Sequence, residues 1–170
     1  MPLAARQAES SLQKKIANAT LVSRRGLDAA YRATRYVAGW AAGDGVPREI
    51  CLRIGAPCPL LDAWLDTVGA RCWSYLTAVN PASQPLPARD NAARLASLEE
   101  RLTAGGHAFL RGAAIADAGD WPDEPSLLVA GLDRQAAEQL AATYGQWAFL
   151  WGERGGLAEL CWTPDAQQSG

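Results

Sequence analysis

The sequence predicts an α+β domain with a ferredoxin-like split β-α-β core, an extra N-terminal β-hairpin and a C-terminal strand. Three observations carry the prediction. From Cys72 to Trp151 the pattern reads strand, helix, strand, strand, helix, strand, the order of a split β-α-β unit. The helical segments carry apolar stripes of helical spacing and stop at glycine. With 170 residues, 49% hydrophobic and 20% charged, the chain is long and apolar enough for one core and too apolar for disorder. The 16 basic and 18 acidic residues argue against a dedicated nucleic-acid binder. No apolar run approaches the ~18 residues of a membrane span, so no membrane partner is expected.

Residues 1–28 hold five basic residues, including both lysines (Lys14 and Lys15), against Glu9 and Asp28. Weak helical spacing through Leu12, Ile16 and Ala19 predicts a basic, helical or frayed N-terminal arm. A single domain is expected over 29–163, and a polar tail over 164–170. Ala33 to Trp40 and Arg48 to Ile54 read as a hairpin across the turn-rich Ala41–Pro47. A short helix follows, with Pro59 in its first turn, the stripe Leu61, Trp64, Leu65, Val68, and Gly69 as its stop. Cys72 to Val79 is aromatic and β-branched enough for a strand, which Asn80-Pro81 breaks. The second helix spans Ala88 to Thr103, with Asn91 one turn ahead of the inward stripe Leu95, Leu98, Leu102. Strands are expected at His107–Ala114 and Ser126–Gly131, then a helix capped by Asp133. A hairpin of Gln146–Trp151 and Leu157–Trp162 closes the pattern.

Connectivity then places the polar residues. In a split β-α-β sheet the end of the first strand, the start of the helix after it, and the starts of the third and fourth strands share one edge. Asn80, Asn91, Glu124 with Ser126, and Gln146 therefore converge there, with Ser83 and Arg89 in the adjoining loop and first helical turn. The open N–H groups of a helix N-terminus lie beside them. The seven tryptophans suggest aromatic recognition by count, but most occupy strand or helix positions that suit packing. Trp121 is the exception, placed to wall the polar edge near Glu124.

Thr77-Ala78-Val79-Asn80-Pro81-Ala82-Ser83, followed by Asn91, by Trp121-Pro122-Asp123-Glu124-Pro125-Ser126 and by Gly145-Gln146, resembles a bacterial family of unknown function marked by a T-A-W-N-P-x-S motif. Tyr31, Thr34, Tyr36 and the strand ending at Gly55 extend the likeness over roughly residues 30 to 163. Val79 departs from the pattern, standing where the family has Trp. The resemblance implies motif positions and no reaction.

Familiar catalytic signatures are absent: no G-x-S-x-G elbow, no P-loop, no G-x-G-x-x-G and no H-E-x-x-H helix occurs. Cys51, Cys58, Cys72 and Cys161 form no C-x-x-C, and the single histidine, His107, falls at the far end of the sheet. Neither a metal site nor a cofactor is expected. Without an apolar segment of the secretory kind at its start, the chain is expected in the cytoplasm, its cysteines as free thiols. The leading reading is a site for a small polar or anionic, nucleotide-like ligand held by Asn80, Ser83, Arg89, Asn91, Glu124, Ser126 and Gln146. Asn80 and Asn91 have a second reading, as side chains that only tie the proline-rich loop to its helix. The alternative for the whole is an interaction or homodimer module, using the aromatic face of Trp147, Phe149 and Trp151. A third is an enzyme with Glu124 as general base, its pKa raised by desolvation.

Overall fold

The computed structural model describes residues 24–164. Within them lie four α-helices and seven strands. The order is α1 (Arg24–Arg32), β1 (Thr34–Ala41), β2 (Pro47–Leu52), α2 (Pro59–Val68), β3 (Cys72–Leu76), α3 (Ala88–Ala104), β4 (Phe109–Ala116), β5 (Glu124–Ala130), α4 (Arg134–Thr143), β6 (Ala148–Glu153) and β7 (Glu159–Trp162). All strands join one sheet in the order β2-β1-β4-β5-β3-β6-β7, every neighbouring pair antiparallel. The helical spacing expected at Leu12, Ile16 and Ala19 lies outside the described residues, as does 165–170 of the tail. The expected boundary at 28/29 falls inside α1.

The sheet is curled until its two outer edges meet. Ile54, just past β2, forms a parallel bridge with Ala158, just before β7. The Gly55 N–H donates to Ala158 O at 2.8 Å, and the Ala158 N–H to Ala56 O at 3.2 Å. Across the concave side, the Tyr75 hydroxyl on β3 donates to Val37 O on β1 at 2.7 Å, although β5 and β4 lie between them in the sheet. Two strand glycines make this possible. A Cβ on Gly112 would stand 1.7 Å from Val37 O, and one on Gly152 would stand 2.8 Å from the Trp73 indole. Glycine inside a strand is suited to such bends and close approaches.

The period-two alternation of the strands sorts the core into two faces. On the concave side Tyr36, Ala38, Ile50, Leu52, Trp73, Tyr75, Leu128 and Leu150 pack with Leu61, Trp64 and Leu65 of α2. On the convex side Leu127, Val129 and Phe149 meet Leu98 and Leu102 of α3 and Ala137 and Ala141 of α4. Trp151 joins this second cluster and its indole N–H donates to Leu132 O at 3.2 Å. Of the three aromatic residues expected on one face, Phe149 is buried in this cluster, Trp151 packs against it half-buried, and Trp147 is half-buried outside it.

Local chemistry sets the element ends. Helices α2, α3 and α4 all stop in a Schellman arrangement with a left-handed glycine, at Gly69, Gly106 and Gly145. The matching backbone bonds are Ala70 N–H to Leu65 O, His107 N–H to Leu102 O, and Gln146 N–H to Ala141 O. This cap absorbs His107, so β4 begins at Phe109 and not at the expected His107; likewise Gln146 belongs to the α4 cap and β6 begins at Ala148. Strand β3 ends at Leu76 and not Val79, because the Thr77 hydroxyl bonds to Pro125 O and accepts from the Val79 N–H, taking the chain out of the ladder. Asp133 caps α4 as expected, accepting from the Ala136 N–H at 2.8 Å.

Candidate functional site

Helix α2 fills one end of the concave face. At the other end the chain leaves a cavity of about 420 Å³, between the sheet, α1 and the loop 117–123. Its walls include Leu27, Ala30 and Tyr31 from α1, with Tyr36, Tyr75, Leu150 and Leu160 from the sheet and Trp121 from the loop. Helix α1 is fastened over it by edge-on packing of Tyr31 against Trp162, ring centroids 5.7 Å apart, and by Arg24 4.9 Å from the Trp162 ring centre. The Tyr36 hydroxyl also donates to Tyr31 O at 2.9 Å. The loop is tied at its start by the exposed Arg53–Asp117 pair, two bonds of 2.6 and 2.7 Å.

The polar wall grows from the Asn80-Pro81-Ala82-Ser83 turn. Asn80, Ala82 and Ser83 all have positive φ (46°, 52° and 56°), the left-handed region that residues with a Cβ seldom occupy. Such a turn survives only where its surroundings over-determine it. Here Asn91 supplies one clamp: its Oδ1 accepts from the Asn80 N–H at 2.9 Å, and its amide donates to Asn80 Oδ1 at 2.8 Å and Leu86 O at 3.3 Å. The α4 cap supplies the other. The Ala82 N–H donates to Gly145 O at 2.8 Å, and the Gln146 amide donates to Val79 O at 2.9 Å. Arg94 adds a third hold, donating to Ala78 O at 2.6 Å and also to Tyr144 O.

With the turn held, Asn80 presents its amide to Glu124, whose Oε1 accepts at 3.0 Å. Glu124 opens β5 on the concave side, paired in register with Ala114. Burial pushes its carboxyl above the ordinary carboxylate range, while the Asn80 amide and the Trp121 indole act in the opposite direction. Tyr31 is pushed up to about 12, first by burial and then by the nearby Glu124 charge, with the Ser83 hydroxyl opposing. Ser126 turns its hydroxyl back to Glu124 O at 2.9 Å. Among the described residues, the carboxylate is therefore held by neutral groups.

Of the residues expected at this edge, Asn80, Ser83, Glu124, Ser126 and Gln146 line the cavity. Asn91 and Arg89 do not. Asn91 stands behind the turn, its amide used in the clamp. Arg89 is exposed on α3, because it faces away from the stripe that packs Leu98 and Leu102 on the sheet. No Arg, Lys or His is among the described residues that line the cavity, so Arg89 does not supply there the pull on an anionic group expected of it. Tyr75 and Leu27 were not foreseen as wall residues, and neither was the bracing by Arg94. Tyr75 is a strand residue like any other until the curl aims it inward. The four cysteines are free thiols, from exposed Cys51 to buried Cys161. His107 lies at the opposite end of the sheet, its Nδ1 3.4 Å from Ala130 O.

This is a mixed α/β protein with a seven-stranded antiparallel sheet and a side cavity whose polar wall is carried by β3, β5 and the loops beside them. Residues 76–149 match the model of a family described as "Protein of unknown function (DUF3293)". The matched stretch runs from the end of β3 into β6, and carries Asn80, Ser83, Asn91, Glu124, Ser126 and Gln146. No curated protein and no solved structure matches the chain. Among the described residues no helix is long and apolar enough to cross a membrane.

Proposed function

We propose that this domain binds a small organic molecule in the cavity beneath α1. The observation that carries the reading is a half-buried carboxylate, Glu124, on the wall of a roughly 420 Å³ space lined mostly by aromatic and aliphatic side chains, with a few polar ones beside it. Ligand sites are of this kind: concave, mostly apolar, with a few placed polar groups. A molecule here would bury its body against Tyr31, Tyr36, Tyr75 and Leu150 and direct a polar head toward Glu124, Asn80, Ser83 and Gln146. The clamped, left-handed turn at Asn80 supports the same reading, since backbone strain is commonly retained where a site must be held in one geometry. The order β4-β5-β3-β6, with β3 and β4 pointing alike and β5 between them, supports reading the centre as a ferredoxin-like unit, to which the hairpin and β7 add the walls of the cavity.

A thermal-shift screen of a fragment library against wild type and Ala114→Phe tests it. Ala114 lines the cavity beside Glu124, and a phenyl group there would fill the space. Hits should stabilise wild type, by about 2.7 kcal/mol at 100 times the dissociation constant, and should lose that effect in the variant. Hits that persist undiminished in a folded Ala114→Phe protein would locate binding elsewhere and defeat the proposal.

A further inference from the structure

The geometry points to a protonated amine as the head group of that ligand, with Glu124 as its counter-charge and the rings of Tyr31 and Trp121 as its flanking walls. The inference rests on the cavity reading and goes beyond it by fixing the sign of charge. Two carboxylates line the cavity, Glu124 and Asp117, and no described lining residue is Arg, Lys or His. Asp117 is already paired with Arg53, a residue outside the lining. Among the described residues, the partners that hold Glu124 are neutral: the Asn80 amide at 3.0 Å and the nearby Trp121 indole. A carboxylate withdrawn from water without a cation is costly, and an incoming cation relieves that cost. An anionic head would meet Glu124 with nothing in the described lining to offset it.

The surroundings of the carboxylate fit the same charge. Tyr31 stands close to Glu124 and keeps its proton, so it presents a neutral ring and hydroxyl. Aromatic faces attract cations through their quadrupole, most strongly where water is excluded. The Ser83 hydroxyl and the Gln146 side chain line the same end and can accept the remaining ammonium protons. Burial raises the Glu124 pKa, and an ammonium beside it acts in the opposite direction by stabilising the ionised form.

Matched triplets provide the test: benzylamine, phenethylamine and tryptamine, each beside the alcohol and the carboxylate of the same body. Dissociation constants are measured by titration calorimetry at pH 7 on wild type and Glu124→Gln. In at least one triplet the amine should bind tenfold or more tightly than its alcohol, with the carboxylate weakest. Glu124→Gln keeps a carbonyl for the Asn80 amide and should remove that tenfold preference while leaving the alcohol unchanged. If fragments bind in the cavity but no amine outranks its isosteres, or the preference survives in Glu124→Gln, the cationic reading falls and the cavity stands. Absence of binding by all nine probes, with no cavity-dependent hit in the fragment screen, would overturn both.

Discussion

Glu124 is the residue whose environment matters most. Its folded-state pKa is raised by burial, so folding favours the protonated form more than the unfolded chain does. Its contribution to stability is fully present below its unfolded pKa and is lost as pH rises through the folded value. Glu124→Gln removes that loss. In denaturant unfolding the variant should match wild type near pH 4 and exceed it at pH 7; a gap that closes toward neutrality would contradict the assignment. Asn91 makes a different prediction. Its amide satisfies the Asn80 N–H, Asn80 Oδ1 and Leu86 O behind the cavity. Asn91→Ala should therefore cost about 1–3 kcal/mol by stranding those groups, whereas the exposed Arg89→Ala should change stability by under about 0.5 kcal/mol. Equal effects of the two in urea denaturation would refute the clamp. The sequence marked both residues for the same polar edge, and helix phase separates them: one faces the turn and the other faces water.

Among elements, the α4 cap and the Asn80–Ser83 turn behave as one unit. Gly145 has φ +69°, and a Cβ there would stand 3.0 Å from Pro81 Cβ. Its carbonyl accepts from Ala82, and the next residue, Gln146, bonds to Val79 O. Gly145→Ala should cost about 1–2 kcal/mol from the left-handed backbone alone, and should also weaken ligand hits by moving the turn. Stability unchanged in thermal melts would mean that the cap and the turn are not coupled. Glycine stops, the Asp133 cap and the stripes of α2, α3 and α4 were legible because they are local: each needs only a few neighbouring residues. Strand limits were less so. Caps and turn hydrogen bonds took Gln146, His107 and Val79 out of the ladders, through partners that the period-two pattern does not contain.

For the whole molecule, closure of the sheet is the decisive feature. β2 and β7 stand at the two ends of the strand order, yet Gly55 and Ala158 are hydrogen-bonded across the gap. Edge amides ordinarily face solvent. In hydrogen-exchange measurements the Gly55 and Ala158 amides should be protected to the level of interior β-strand amides; rapid exchange at both would mean that the edges are open in solution. The curl also makes the cavity. It aims Tyr36, Tyr75, Glu124 and Leu150 toward one space, which α2 fills at one end and α1 roofs at the other.

The order of strands and helices, the polar character of one sheet edge and the meeting of Asn80 with Glu124 and Gln146 all follow from alternation and connectivity, which a sequence carries in full. Curvature does not. It depends on Gly112 and Gly152 meeting particular atoms of Val37 and Trp73, and on a bridge between residues more than a hundred positions apart. Only that long-range packing turned an edge into a walled cavity and left Glu124 there without a positive partner among the described lining.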